Sequence, residues 1–188
     1  MKKLASFLLV LAIILSMGTL AFADGTTTLS TTVPAAQYTL NIPADQTIPF
    51  GATSADIGNV TVSDSSGFAV GKNIKVTVTY DAFSSSDVST TIPFELVLGG
   101  AAQISGTSVS ETKKFASGED LVFRGLSSGS VESKAFMLHY YSNSSPVQEY
   151  DIYVGQLKIS MLSTDWGKAL GGDYTAQITF TSEVVVAE

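Results

Sequence analysis

The stretch Lys72-Asn-Ile-Lys-Val-Thr-Val-Thr-Tyr80 decides which fold this sequence encodes. Its apolar residues occupy every second position, and Lys and Thr occupy the positions between them. Successive side chains of a β-strand point to opposite faces of the sheet, so this alternation predicts one buried and one solvent-exposed face. Strands with one solvated face are typical of antiparallel sheets.

Other segments of the chain repeat this alternation. The clear examples are residues 37–42, 91–98 and 173–185. Weaker strand patterns lie at residues 57–62, 121–124, 131–141 and 150–161, the last with a predicted break at Gly155. Clusters of Ser, Asp, Asn, Gly and Pro separate these segments and are typical of turns. About seven to nine strands with this spacing predict an all-β protein, an antiparallel β-sandwich whose two sheets bury their apolar faces together.

One segment carries a helical signal instead. Residues 163–170 begin with helix-capping Ser and Thr and are followed by Gly171-Gly172, which predicts a short helical turn before the last strand. We interpret Gly99-Gly100 as a turn or stop signal in the same way. Trp166 is the only tryptophan, and we expect it to close one end of the sandwich because large aromatic residues are mostly buried. The alternative is an exposed platform on which a sugar stacks.

A four-residue sequence occurs twice, as Thr-Ile-Pro-Phe at residues 47–50 and again at residues 91–94. Two short copies do not make a repeat architecture. Because proline cannot donate a hydrogen bond within a sheet, it favours an edge strand or the first residue of a strand. We therefore interpret the two copies as two similar sheet edges.

Residues 1–23 have the features of a secretory signal peptide. Lys2 and Lys3 precede a mostly apolar stretch, and Ala21-Phe22-Ala23 gives the small-x-small pattern of a cleavage site. The uninterrupted apolar part is shorter than the roughly 20 residues needed to span a bilayer, so we expect cleavage rather than anchorage. The mature protein then begins at or near Asp24 and is secreted, either extracellular or at the cell surface.

Cleavage leaves 165 residues, the usual size of one domain. The predicted organisation is a signal peptide at residues 1–23, an N-terminal extension or edge strand at 24–36 and a single β-sandwich domain at 37–188. Loss of Lys2 and Lys3 changes the formal net charge from −7 to −9. Nucleic acid is excluded as a partner because an acidic protein repels phosphate backbones. No second long apolar stretch predicts membrane insertion after cleavage.

The sequence carries no recognisable catalytic motif, and we predict that the protein is not an enzyme. Its one histidine, His139, lies in an aromatic run, and no GxSxG motif surrounds a serine. With no cysteine and a single histidine, zinc and thiol chemistry lack ligands, and no cofactor is expected. Asp45 and Asp64 lack the alternating acidic spacing of a calcium loop, so we expect solvated turn aspartates and no metal site, with a weak calcium site as the alternative. Carboxylate pairs remain, each without a motif and each expected in a turn. They are Glu119 with Asp120, Glu149 with Asp151, and Asp165 with Asp173.

Four tyrosines surround the loop at residues 142–146. They are Tyr140, Tyr141, Tyr150 and Tyr153. Such a group could form a carbohydrate platform or a protein contact. The alternative, which we favour, is that the rings pack at strand ends with their hydroxyl groups in water.

The end of the chain resembles the closing segment of secreted bacterial Ig-like and pilin-like surface proteins. Fimbrial and spore-coat-type domains end on a Gly-x-Tyr-x-x-x-Ile/Val-Thr strand, and the matching residues here are Gly172, Tyr174, Ile178 and Thr179. Residues 38–43 are similar to the first strand of such domains. The resemblance implies an Ig-like or pilin-like β-sandwich with a structural or adhesive role. Unlike many pilins, this chain has no disulfide.

The leading hypothesis is therefore a non-enzymatic, secreted, fimbria-like structural or adhesion protein that acts through sheet edges and loops. Its expected partners are other subunits or a second copy, by exchange of a strand from residues 24–33. Strand exchange needs alternate side chains that fill a neighbour's groove, and Leu29 and Val33 are the strong apolar residues of that segment. The alternative is an extracellular carbohydrate-binding module that uses Trp166 or the tyrosines at positions 140–153, with glycans as partners.

Overall fold

The computed structural model describes residues 35–104, 107–143 and 145–187. The predicted signal peptide and the predicted exchanged strand, with Leu29 and Val33, lie outside the described residues. Strands account for 55% of the structure and helix for 3%, and the sheets are antiparallel. The prediction of an all-β protein with antiparallel sheets is confirmed, and the arrangement is consistent with a β-sandwich.

Twelve strands and one short helix occur within the described ranges. In chain order they are β1 (Gln37–Asn41), β2 (Ser54–Gly58), β3 (Thr61–Ser66), β4 (Lys72–Tyr80), β5 (Phe83–Ser84), β6 (Thr91–Ile92), β7 (Glu95–Ile104), β8 (Thr107–Phe115), β9 (Glu119–Phe123), β10 (Phe136–Tyr141), β11 (Glu149–Ser160), α1 (Ser163–Trp166) and β12 (Ile178–Val186).

The strands outnumber the predicted seven to nine for local reasons. Pro93 has no N–H to donate and divides residues 91–98 between β6 and β7. Gly58 has a φ of 112°, a backbone conformation that only glycine adopts readily, and the chain turns there between β2 and β3. The predicted helical turn is confirmed as α1.

The largest sheet has the strand order β12-β4-β9-β10-β11-β7-β8, and β2 also pairs with β11. The first half of β11 pairs with β10, and its second half lies between β2 and β7. The register is irregular between Val154 and Gln156, so Gly155 sits at a bulge within a continuous strand. Buried residues of β4 and β9, such as Ile74 and Phe123, belong to the same core cluster as Leu157 of β11.

The interpretation of Gly99 and Gly100 as a turn signal is wrong, because both lie inside β7. A Cβ on Gly100 would come within 2.6 Å of the Tyr153 carbonyl oxygen and 2.7 Å of Ile152 Cγ2. Glycine at this position lets β7 and β11 approach closely. The approach lies at the point of β11 where pairing with β10 ends and pairing with β7 and β2 begins. A Cβ on Gly99 would meet only the Gln156 carbonyl oxygen, at 3.7 Å.

The last strand is incompletely covered on its inner face. β12 pairs with β4 along its whole length, from Ile178 opposite Tyr80 to Val186 opposite Lys72. Residues directly opposite each other share a face, so the partners of the buried β4 residues lie on the inner face of β12. There Phe180 is partly buried, while Val184 and Val186 are exposed. The hydroxyl group of Tyr38 in β1 donates to Ser182 Oγ at 2.9 Å on this same face.

Candidate functional site

An apolar groove of about 1010 Å³ lies where β4 ends and β12 begins. Residues 42–50, between β1 and β2, form one wall, and residues from Trp166 to Phe180 contribute to the other. Core residues line it between these walls. They are Ile57, Ile92, Phe94 and Ile159. The groove therefore borders the hydrophobic core, and buried core residues form its floor.

The first wall is held over β2 by specific hydrogen bonds. Residues 42–50 contain two prolines, Pro43 and Pro49, which have no N–H for strand pairing, and they form no strand. Gln46 Nε2 donates to the Ile57 carbonyl oxygen at 2.6 Å. A hydrogen bond of 3.1 Å from the Ala52 amide to the Pro49 carbonyl oxygen closes the turn at residues 49–52.

The second wall is held by contacts with the β5–β6 segment. The Leu170 amide donates to Thr90 Oγ1 at 3.3 Å, and the Tyr174 hydroxyl group donates to the Leu170 carbonyl oxygen at 2.9 Å. Ser84 and Thr175 exchange two backbone hydrogen bonds of 2.9 and 2.8 Å. The groove is therefore a preformed feature of the fold. The last strand was predicted to begin at residue 173, but β12 begins at Ile178. Residues 173–176 belong to this wall of the groove.

Trp166 lies in the wall of this groove. Its indole Nε1 donates to the Ala52 carbonyl oxygen at 2.8 Å, and its ring is partly buried against the core. Phe50 meets the indole edge-on with 5.3 Å between ring centroids, and its own side chain is 85% exposed. The tryptophan thus packs at one end of the core, and it supports an aromatic ring at the groove mouth.

The two Ile-Pro-Phe sequences meet at the groove. Ile48 and Phe50 of the first copy and Ile92 and Phe94 of the second all line it. The first copy forms no strand, so its interpretation as a sheet edge is wrong. Phe50, Ile42 and Leu170 are exposed apolar residues that the sequence analysis missed. The repeated tetrapeptide is the sequence feature from which part of the groove lining could have been predicted.

Acidic groups are the only charges that line the groove among the described residues. They are Asp45 and Asp173, and no Lys or Arg lines it. The rest of its surface is apolar or carries hydroxyl and amide groups, as at Thr47 and Gln46. The groove is therefore suited to apolar side chains, with a preference for a cationic group at its rim.

The four predicted tyrosines do not form a single surface. Tyr140 is opposite Tyr150, and Tyr141 is opposite Glu149. Adjacent strand residues point to opposite faces, so Tyr140 and Tyr141 lie on opposite sides of the sheet. Tyr140 packs against the core, whereas Tyr141 is exposed with its hydroxyl group 3.4 Å from Glu149 Oε1. Tyr153 is opposite Phe136 and packs edge-on against it, with 6.3 Å between ring centroids.

The pair Glu149 and Asp151 lies in β11 and not in a turn, which corrects that expectation. His139 Nδ1 is 2.9 Å from Glu149 Oε1 and 2.8 Å from Asp151 Oδ1. Arg124 Nη1 is 2.6 Å from Asp151 Oδ2, and the guanidinium carbon lies 3.5 Å from the centroid of the Phe136 ring. Both carboxylates thus already have partners across the sheet, in a surface network of polar contacts that includes the Arg124–Asp151 ion pair.

Tyr153 borders this network and is perturbed by it. Partial burial raises the pKa of its phenol above the ordinary value of 10.0. The hydrogen bond to Glu132, at 3.1 Å, raises that pKa as well, as do the negative charges of Glu132 and Asp151, while Arg124 lowers it.

We predict that Tyr153 contributes to the loss of stability at alkaline pH. Its pKa is higher in the folded than in the unfolded protein, so above about pH 10 the unfolded chain loses this proton first and unfolding is favoured. In Tyr153→Phe the free energy of unfolding should fall less steeply between pH 9 and 11, measured by urea titration. Tyr141→Phe removes an exposed phenol from the same face and is the control. Equal slopes in all three proteins would contradict the assignment.

Comparisons of the chain with protein-family models, with curated proteins and with solved structures found no match. Within residues 35–187, excluding the short gaps, no group of three or more metal-binding side chains could hold an ion. The helical part of the described chain is too short to cross a bilayer.

Proposed function

We propose that this protein is a non-enzymatic structural or adhesive subunit of an extracellular assembly, and that its groove binds an extended segment of a second copy. The observation that carries this proposal is the apolar groove, which has core residues at its floor. Ile92, Phe94 and Ile159 are buried core residues, yet they line a groove of about 1010 Å³. Protein interiors are close-packed, so a groove of this size at the core is suited to an occupant.

The shape of the apolar surface favours an extended segment over a compact ligand. Ile178 and Phe180 line the groove, and Val184 and Val186 continue the same face of β12 with exposed side chains. Nine residues of strand span about 30 Å. Among the described strands, β12 pairs only with β4, so its other edge offers backbone hydrogen-bonding groups to an added strand.

Residues 24–33 have a pattern that matches this face. Leu29 and Val33 are four positions apart, so in an extended chain they lie on one side about 13 Å from each other. Phe180 and Val184 have the same spacing on the inner face of β12. The residue between each pair, Thr31 in the segment and Ser182 in β12, carries a hydroxyl group. Apolar and polar positions therefore coincide when the segment lies along β12.

The export signal at residues 1–23 supports a location outside the cytoplasm, secreted or at the cell surface. The resemblance of residues 165–181 to Ig-like and pilin-like bacterial surface proteins supports a fimbria-like or adhesive role for the β-sandwich. The acidic net charge is suited to a protein that stays soluble outside the cell.

A substitution in the groove tests this function. Ile42 lines the groove and is 55% exposed, so Ile42→Asp should fold normally and weaken self-association at least about tenfold, because a carboxylate would face the apolar segment. Sedimentation velocity of the mature chain measures this. Val147→Asp is the matched control, since Val147 is 65% exposed and lies outside the groove. Self-association of Ile42→Asp equal to that of the wild type would contradict the proposal.

The exposed aromatic ring at the groove mouth favours carbohydrate binding as the second candidate function. Phe50 packs edge-on against Trp166 and exposes most of its ring to solvent, as sugar-stacking residues do. If this function holds, the wild type binds specific glycans on an array and Phe50→Ala loses them while its self-association is unchanged. Absence of glycan binding by the wild type would eliminate this candidate.

A further inference from the structure

A second exposed apolar surface lies at the other end of β4 from the groove. At the groove end, Tyr80 stacks on Phe94 with 5.1 Å between ring centroids. At the Lys72 end, three apolar side chains are exposed to solvent. They are Val70, Leu126 and Val186, which we call the apolar end patch. Val70 is 85% exposed at a turn closed by the hydrogen bond from Lys72 N to the Ala69 carbonyl oxygen, at 3.2 Å.

The backbone around Lys72 brings these three residues together. Lys72 pairs with Val186 in the β4–β12 register, and the Ala187 amide donates to the Gly71 carbonyl oxygen at 2.7 Å. A Cβ on Gly125 would lie 2.0 Å from the Lys72 carbonyl oxygen, so the turn that carries Leu126 packs directly on this residue. The backbone segments that carry the three exposed residues of the apolar end patch therefore meet around Lys72.

The charges at the two ends are complementary. Lys72 lies at the centre of the apolar end patch and has no ion-pair partner among the described residues. Arg124 precedes Gly125, which packs on Lys72, and the Glu132 amide donates to the Arg124 carbonyl oxygen. The side chains of Arg124 and Glu132 are engaged by Asp151 and Tyr153 at 2.6 and 3.1 Å. The groove at the other end is lined by Asp45 and Asp173.

The described chain also begins at the patch end. Gln37, the first residue of β1, is opposite Ser66. A Cβ on Gly67 would lie 3.0 Å from the Ala35 carbonyl oxygen, and Gly67 is three positions before Val70. Ala35, to which residues 24–34 are joined along the chain, therefore lies at the Lys72 end of β4, about 25–30 Å along β4 from the groove.

We propose that copies of this protein associate head to tail, with the apolar end patch of one copy seated on the groove mouth of the next. The patch contacts Ile42, Phe50 and Leu170, and Lys72 faces Asp45 and Asp173. This inference rests on the proposed function, because it places the donor of residues 24–33 beside the groove that accepts them. An interface between two different surfaces does not close on itself in a dimer, so it builds a ring if the rotation between copies closes and an open filament if it does not.

Mixing two complementary variants of the full mature chain tests the arrangement. Val70→Asp disables the patch and leaves the groove, whereas Ile42→Asp disables the groove and leaves the patch. Each alone should self-associate at least about tenfold more weakly than the wild type. Their mixture should form one-to-one dimers and nothing larger, as measured by sedimentation velocity. Lys72→Glu should behave like Val70→Asp, and Val147→Asp should assemble like the wild type.

The outcomes separate the two proposals. If Val70→Asp and Lys72→Glu assemble like the wild type while Ile42→Asp does not, the head-to-tail contact is wrong and the groove function stands. If each variant alone is monomeric and their mixture also stays monomeric, the head-to-tail contact is wrong as well. If Ile42→Asp assembles like the wild type, the proposed function itself fails.

Discussion

Gly100→Ala is expected to lower the free energy of unfolding by about 1–3 kcal/mol, the usual cost of overpacking a core. The added methyl group would come within 2.6 Å of the Tyr153 carbonyl oxygen, which belongs to the backbone of β11. A backbone atom cannot rotate away as a flexible side chain does, so β7 and β11 would have to separate. Urea titration of the mature protein measures the change.

The adjacent glycine provides the control for this experiment. A Cβ on Gly99 would have 3.7 Å to its nearest neighbour, which is an ordinary contact. Gly99→Ala should therefore be neutral, or stabilising by about 0.4–1 kcal/mol through the lower entropy of the unfolded chain. Equal free energies of unfolding for the two variants would contradict the close approach of β11 to β7 at Gly100.

Deletion of residues 24–33 is expected to leave a folded monomer and to abolish self-assembly. Among the residues that the structure describes, the core residues, such as Val76, Phe123 and Leu157, form one cluster that the deletion leaves intact. The deletion removes only the proposed occupant of the groove. Gel filtration should show the size of a monomer, and the far-ultraviolet circular dichroism should match that of the intact protein.

Single substitutions in the intact chain sharpen this prediction. Leu29→Asp should weaken assembly at least about tenfold, because it places a carboxylate in the apolar register. Ser30→Asp adds the same charge one position later, on the opposite side of an extended chain, and should have a smaller effect. An oligomer of unchanged size after deletion of residues 24–33 would contradict strand exchange.

Regular alternation made the strands of the core predictable. β4 has apolar residues at every second position because one face is buried, and this period needs no knowledge of the partner strands. β8 was missed because the segment Thr107–Phe115 has few apolar residues and lies at a sheet edge. The role of Gly99-Gly100 was also missed, because the close approach of β11 depends on residues more than 50 positions away.

The groove could not be predicted from local patterns. It joins residues 42–50 to residues 166–180, which are more than 100 positions apart and contain little regular structure. For the tyrosines, closeness in sequence wrongly suggested a shared surface. Tyr140 and Tyr141 are adjacent in sequence but lie on opposite faces of the sheet. Residues that are adjacent in a strand therefore do not share a surface. The two copies of the Ile-Pro-Phe sequence, in contrast, are far apart in the chain and both line the groove.

The single tryptophan allows a direct measurement of whether residues 24–33 of one copy occupy the groove of another. Trp166 lines the groove, and residues 24–33 contain no aromatic residue, so tryptophan emission reports on the groove alone. We predict that a synthetic peptide of residues 24–33, titrated into the protein that lacks them, changes the Trp166 emission saturably. The same peptide with Leu29→Asp should not. Unchanged emission with the native peptide, at concentrations up to about 1 mM, would contradict the account.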